Sequence, residues 1–370
     1  MVFKDLKVIE LSTVLAGPSV GMFFAELGAK VIKIEHPEHL DVTRSWKIPE
    51  EDENCNVSAY FSSVNYKKEY LQFDLTIEDE YQDFVDLFID ADIILTNLKK
   101  GDAEKLHLTD NILLKFNPRL IHGKISGYGV HSDRVAYDLI LQAETGFMSM
   151  NGNEASGPLK MPVALIDVLA AHQLKEGILC ALYEREKTGR GNVIEVSLYD
   201  AAVSSLVNQA SVFLMEGKVP QRIGSKHPTI APYGELFTTK DNVTLTFAIG
   251  SDRQFQKLVE HLELFNLPQH DLYYNNQNRV INREELAKLL QGAIQNFTSD
   301  ELLTWSVENF IPCGKIKTLD EVFEDPMAQK LIREEEIDGV PTKRITSVAF
   351  SSRIPFDYKN EAPSRAKRKR

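Results

Sequence analysis

Along the first half of the chain, short apolar runs alternate with stretches whose apolar residues recur every three to four positions. Leu6 to Leu11 reads as a buried strand, Ala16-Gly17-Pro18 as a turn, Val20 to Leu27 as an amphipathic helix and Val31 to Ile34 as the next strand. The order returns with a helical pattern from Glu78 to Phe88 ahead of Ile93-Ile94-Leu95, and with another ahead of Leu120 to Ile125. Strand–helix–strand units repeated in this way predict a parallel sheet with right-handed crossovers.

The clearest helix opens near Asp167 and runs through Leu174, Ile178 and Leu182 to Glu186. Lys187 falls in or near its last turn, and Thr188-Gly189-Arg190-Gly191 is the stop signal, as the helix dipole and glycine termination favour. Val193 to Leu198 then alternates like a strand. The pattern loosens over 205–230, with Lys226-His227-Pro228 reading as a linker. Strands over 233–250 and helices near 252–263, 283–296 and 299–308 predict a smaller α+β domain. At 370 residues the chain is too long for one ordinary core, so two domains are expected.

Composition then removes whole classes of function. Hydrophobic residues make up 43% and charged residues 26%, the balance of a globular cytosolic protein. No apolar run reaches the ~18–20 residues of a membrane helix. Met-Val-Phe-Lys-Asp reads as the approach to a strand and lacks the pattern of a signal peptide. Cys55, Cys180 and Cys313 are far apart and odd in number, which points to a reducing compartment and a cytoplasmic location. The nine histidines form no metal motif, so no metal is expected. A net charge of −12 argues against nucleic acid as a partner. The local exception is Arg365, Lys367, Arg368, Lys369 and Arg370, read as a solvated terminus.

The first strand–turn–helix, with Glu35 closing the second strand, invites a dinucleotide reading. That chemistry needs G-x-G-x-x-G so that backbone can approach a pyrophosphate, and the stretch from Thr13 to Gly21 lacks the paired glycines. Neither a G-x-S-x-G elbow nor a P-loop is present. Asp167 is the informative acid. It follows the apolar run Pro162-Val163-Ala164-Leu165-Ile166 and opens a long helix. On local pattern it is first of all an N-cap. A carboxylate at a helix N-terminus in apolar surroundings is also a competent nucleophile toward an activated acyl carbon. The pattern leaves both readings open.

Longer segments add to this. Leu6-Lys7-Val8-Ile9-Glu10-Leu11, Leu15-Ala16-Gly17-Pro18 and Leu27-Gly28-Ala29-Lys30-Val31-Ile32-Lys33-Ile34-Glu35 closely resemble the class III coenzyme A transferases. That family includes formyl-CoA transferase, carnitine CoA-transferase and the α-methylacyl-CoA racemases. The likeness runs on through Asp41-Val42-Thr43-Arg44, Asn65-Tyr66-Lys67-Lys68, Asn97-Leu98-Lys99-Lys100-Gly101, Ser126-Gly127-Tyr128-Gly129 and Glu186-Lys187-Thr188-Gly189-Arg190-Gly191. It continues downstream at Ala231-Pro232-Tyr233-Gly234 and Ile311-Pro312-Cys313-Gly314, so nearly the whole chain is covered.

The resemblance implies an α/β fold with a Rossmann-like large domain over 1–200, to which 326–370 returns. It further implies a linker over 201–225, a small α+β domain over 226–325 and an interlocked homodimer. It places the family's nucleophilic aspartate at Asp167, working through mixed anhydrides and an aspartyl-CoA thioester, with coenzyme A as co-substrate and no other cofactor. Leu15, Ala16 and Gly17 then meet the pantetheine and adenine side, His36 lies near the nucleotide, Lys68 and Lys105 face the CoA phosphates and Asn97 contacts the pantetheine. Trp46 and Tyr60 shape the acyl pocket. Two departures refine the picture. Tyr137 stands where the racemase branch carries a histidine, and a phenol is a poor base at neutral pH, which disfavours racemisation. The glycine run of formyl-CoA transferase is reduced to Ala248-Ile249-Gly250-Ser251-Asp252, so oxalate and formyl-CoA are not the expected substrates. The reading is an acyl-CoA:carboxylate CoA-transferase, with a racemase/epimerase or a catalytically silent CoA-binding relative as the alternatives.

Overall fold

The computed structural model describes residues 2–351. The basic residues from Arg365 to Arg370 lie outside the described residues. The described residues divide into two compact units, one formed by residues 2–147, 160–218 and 327–351, the other by 148–159 and 219–326.

The first unit is built on a six-stranded parallel sheet. Its strands are β1 (Lys7–Glu10), β2 (Lys30–Glu35), β3 (Lys68–Gln72), β4 (Ile93–Thr96), β5 (Ile121–Ser126) and β6 (Asn192–Ser197). They lie in the order β3-β2-β1-β4-β5-β6, every pairing parallel, as the alternating pattern predicts. The order reverses between β1 and β4, the point at which chain connections leave for opposite sides of the sheet and at which ligand sites of such sheets form. Both faces of the sheet are covered, which is why its central strands are apolar at successive positions.

One face is covered by α1 (Ala16–Glu26), with Phe24 buried among Val8, Val31 and Ile93. The other is covered by α2 (Glu78–Phe88) and α3 (Asp110–Phe116), through Phe84, Phe88 and Leu113. After α4 (Asp138–Glu144) comes the long α5 (Leu165–Thr188), which buries Ala170, Leu174 and Ile178 against the α1 side of the sheet. Its end matches expectation: Gly189 takes the left-handed conformation at φ 71° and donates to the Arg185 carbonyl at 2.8 Å.

Two differences from the sequence reading are informative. Ala16-Gly17-Pro18 is the first turn of α1 and not a separate turn, because proline costs nothing where backbone N–H groups have no intrahelical acceptor. The stretch 201–225, read as linker, carries the end of α6 (Leu198–Ser204) and all of α7 (Val207–Glu216). No residue of α7 is buried, and its exposed Phe213, Leu214 and Met215 erase the usual apolar stripe.

In the second unit, β7 (Tyr233–Thr238), β8 (Thr244–Ala248) and β9 (Cys313–Lys315) form an antiparallel sheet. It packs against α8 (Asp252–His261), α9 (Arg283–Ile294) and α10 (Ser299–Glu308), through Phe237, Phe247, Phe255, Leu290 and Leu302. Back in the first unit, β10 (Ile332–Ile337) and β11 (Val340–Ile345) make a hairpin that the periodicity did not reveal. Glu334-Glu335-Glu336 masks its alternation. The available signal was Asp338-Gly339, both at positive φ, as a two-residue type I′ turn requires. Glu26 of α1 anchors the segment behind it, accepting from Thr346 Oγ1 at 2.6 Å and Ser347 N at 3.1 Å and pairing with Arg344 at 2.6 Å. No described helix is long and apolar enough to cross a membrane.

Candidate active site

At the carboxyl ends of β1 and β4 the two following loops are joined by hydrogen bonds. Asn97, just past β4, accepts from Thr13 N at 3.1 Å and donates to Thr13 O at 2.9 Å. A primary amide is well suited here, since one side chain satisfies both backbone groups of a single residue. The next residue, Val14, has φ 71°, a costly region for a β-branched side chain, and its N–H reaches the Asp41 carboxylate at 3.3 Å. Leu15 precedes α1, and Ala16 and Gly17 are buried in its first turn. A Cβ on Gly17 would lie 2.4 Å from Ser12 Cβ, so the turn closes only with glycine at this position.

Asp167 is the third residue of α5 and is not its N-cap; that position belongs to Ala164. The cap expectation is corrected by the partner actually found: Asp138 Oδ1 accepts the N–H of Ile166 at 2.8 Å. Asp138 Oδ2 accepts from Gln142 Nε2 at 2.7 Å, and Gln142 Oε1 accepts from Met161 N at 2.7 Å, which ties the approach segment to α4. Asp167 is only 6% exposed and has no hydrogen-bond partner among the described residues. Burial, and then the charge of Asp138, push its carboxyl up to about 7. At neutral pH both protonation states are therefore populated, and the ionised form is poorly solvated and correspondingly nucleophilic.

Tyr60 feels the charge of this carboxylate and belongs to a small aromatic group. Trp46 meets Tyr60 edge-on at 5.2 Å and Tyr137 at 6.4 Å between centroids. Burial raises the Tyr60 hydroxyl to about 12, helped by the charges of Asp167, Asp138 and Asp41. It stays protonated at any physiological pH and is available as a donor. Tyr137 is 51% exposed and opens α4 from its N-cap position. The three aromatics named from sequence thus form one patch.

The expected CoA-binding residues separate. Lys105 is solvent-exposed. His36 is half-buried, stacked on His39 at 4.8 Å with Nε2 at 3.6 Å from Asp74. Lys68 is a correction. Its side chain is fully buried, and its ammonium donates to Glu10 at 2.9 Å, Pro18 O at 2.9 Å and Asn65 Oδ1 at 3.0 Å. All three N–H donors are taken, so none is left for a phosphate. Adjacent lysines look alike in a strand pattern, and only the sheet decides which of them points inward.

Sequence reasoning missed Asp138, Asp41, Glu10 and Lys33. Asp138 carried a signal, an acid directly ahead of the apolar Leu139-Ile140-Leu141. The buried Glu10 and Lys33 sit in strand runs otherwise read as apolar and carried none. A cavity of about 300 Å³ at the carboxyl ends of β4 and β5 is lined by Thr96, Lys99, Asp110, His122, Lys124 and Ser126 among others, and Asp167 is not in its wall. Within it His122 bonds Asp110 at 2.7 Å and Thr96 at 2.9 Å, a satisfied network that fastens α3 to the sheet. Among the described residues, no group of His, Cys, Asp or Glu is arranged to hold a metal ion.

Comparison with known proteins agrees along the whole chain. The family model described as CoA-transferase family III matches residues 3–368. A succinate–glutarate CoA-transferase of Agrobacterium fabrum is 32% identical over 369 residues, covering 97% of this chain and 92% of that protein. A succinyl-CoA:mesaconate CoA-transferase of Haloarcula hispanica is 31% identical, covering 87% of this chain and 82% of that protein. Among solved structures, a CaiB/BaiF family protein from Brucella suis superposes with a TM-score of 0.84 at 33% identity, covering 98% of this chain and 95% of that one.

Proposed function

The chain belongs to CoA-transferase family III, and on that premise we propose that it moves coenzyme A from an acyl-CoA to a dicarboxylic acid through covalent chemistry on Asp167. The observation that carries the proposal is the Asp167 carboxyl, buried in the first turn of α5 and raised to about 7. The acceptor class rests on the relatives, whose names specify succinate with glutarate, mesaconate and citramalate.

The steps balance without an external cofactor; coenzyme A is the co-substrate. An Asp167 oxygen attacks the donor thioester carbon, the C–S bond breaks, and a mixed anhydride and CoA thiolate form. The thiolate attacks the Asp167 carbonyl carbon, expelling the donor carboxylate and leaving an aspartyl-CoA thioester. The acceptor carboxylate attacks that carbon and expels thiolate, giving a second anhydride. Thiolate then takes the new acyl group and restores the Asp167 carboxylate. Protons enter and leave in no step, so an acid that ionises near neutrality suffices. Poor solvation of Asp167 favours attack, and the proposed role of Tyr60, protonated throughout, is to donate to developing negative charge.

The loop from Thr13 to Gly17, His36, Asn97 and Lys105 are proposed to bind coenzyme A, with Trp46, Tyr60 and Tyr137 around the acyl group. The Rossmann-like large domain, the domain boundaries, an interlocked homodimer and a cytoplasmic location complete the proposal. The exposed apolar side chains of α7 support a second copy as its cover. The test is intact-protein mass after mixing with a panel of dicarboxylyl-CoA donors, with hydroxylamine as trap. A CoA adduct or hydroxamate mapped to Asp167, absent in Asp167→Ala, is the expected result. Turnover by Asp167→Ala at the native rate would overturn it.

A further inference from the structure

Beneath the loop that follows β1 lies a closed cluster of four charged side chains. Glu10 on β1, Lys33 on β2, Lys68 on β3 and Asp41 after β2 each have a fully buried side chain. The charges cancel, two of each sign. Glu10 bridges both ammoniums, at 3.2 Å to Lys33 and 2.8 Å to Lys68, and Lys33 meets Asp41 at 3.1 Å.

Three of the four also hold a backbone atom of the loop, and Glu10 joins the two lysines. Lys33 donates to Ser12 O at 2.7 Å and Lys68 to Pro18 O at 2.9 Å, while Asp41 accepts from Val14 N. With Asn97 on Thr13, the segment from Ser12 to Pro18 is fixed at four residues. Helix α1 is adapted to the cluster as well: a Cβ on Gly21 would fall 1.8 Å from Glu10 Oε2.

Stability alone does not explain this arrangement. Well-packed apolar side chains usually fill a buried space at lower cost than ion pairs do. Apolar groups cannot, however, hold the carbonyls of Ser12 and Pro18 or keep Val14 at its strained φ. Buried charges with fixed hydrogen bonds confer geometry, and here the geometry conferred is that of one loop.

We infer that Lys68 and Lys33, joined through Glu10, are positioning residues that set coenzyme A affinity by holding the loop from Ser12 to Pro18 in its binding shape without touching the ligand. This rests on the reading above that the loop meets coenzyme A. Lys68 is the more responsive member. Burial lowers its ammonium to about 8, opposed by Glu10, and the neighbouring charge of Lys33 lowers it further. The charged groups facing it are Lys33 on the adjoining β2, Glu10 on β1 and Asp41 beyond them; α1 contributes only backbone and Gly21.

The probe is acetyl-CoA, titrated calorimetrically into full-length Asp167→Ala, which binds without turnover. Binding by this parent protein is the first control, and its absence would overturn the coenzyme A reading and this inference together. Adding Glu10→Gln with Lys68→Met removes one charge of each sign. The expected result is acetyl-CoA affinity about tenfold weaker or more at an unchanged melting temperature. In the enzyme with Asp167 intact, the same pair raises KM for acyl-CoA and leaves that for the acceptor acid unchanged. Equal affinity in the folded variant overturns the inference while leaving the coenzyme A reading in place. Should that variant not fold, the parent decides. Its affinity is expected to fall between pH 7.5 and 9.5 as Lys68 loses its proton, and a flat profile overturns the inference.

Discussion

Asp138 acts on Asp167 in two ways from one position: its Oδ1 takes the N–H of Ile166 at 2.8 Å, and its charge raises the Asp167 carboxyl. The first fixes the turn from which Asp167 projects. The second brings an acid that would ordinarily ionise near 4 into the neutral range.

Asp138→Asn tests the second effect, because the amide oxygen can still accept from Ile166 while the charge, and with it the acceptor for Gln142 Nε2, is gone. The acidic limb of the pH dependence of kcat/KM should move down by about half to one pH unit. Burial stands first among the causes, so most of the elevation should persist. A limb that does not move would assign the whole elevation to burial.

Asp167→Asn should stabilise the fold above neutrality. An acid whose folded value is raised, here from 3.8 to about 7, penalises the folded state wherever the unfolded chain ionises more completely. The penalty is absent below about pH 4, grows as pH rises toward 7 and is constant beyond. The amide variant should exceed the parent by on the order of a few kcal/mol at pH 8.5 and match it near pH 4. Urea melts at both pH values test this, and equal midpoints at pH 8.5 would refute it.

Two glycines in helices should respond with opposite sign. Gly21→Ala drives a methyl group into the Glu10 carboxylate, which is enclosed on all sides, and should cost about 2–4 kcal/mol. Gly292, inside α9, has nothing within 4 Å of a built Cβ, so Gly292→Ala should add about 0.5–1 kcal/mol. Thermal unfolding of the pair distinguishes steric conflict from helix propensity.

Asn97→Ala removes both bonds to Thr13 and leaves that N–H without its acceptor. KM for acyl-CoA should rise by about fivefold to tenfold with a smaller change in kcat. An unchanged KM would show that the loop keeps its shape without Asn97, and steady-state rates against varied acyl-CoA measure it.

Much of this architecture was legible along the chain. The parallel sheet followed from apolar runs alternating with helical spacing, and Gly189 marked the end of α5 because a left-handed residue is needed there. The hairpin over 332–345 was hidden by its glutamates, although Asp338-Gly339 announced its turn. Helix α7 escaped because periodicity registers a face buried within one chain, and none of its residues is buried there.

The sequence by itself determined most of the elements, their order and the family, since periodicity and motif spacing are local properties that survive in one dimension. It also singled out Asp167, through its place ahead of a long helix. Only the tertiary structure decided what surrounds that carboxylate, because desolvation and the charge of Asp138 arise from residues brought together across the fold. The same holds for Lys68. Nothing in its strand distinguishes a lysine that meets solvent from one enclosed between Glu10, Pro18 and Asn65. That difference is fixed by which face of β3 lies under α1, and it turns an expected phosphate ligand into a support for the loop.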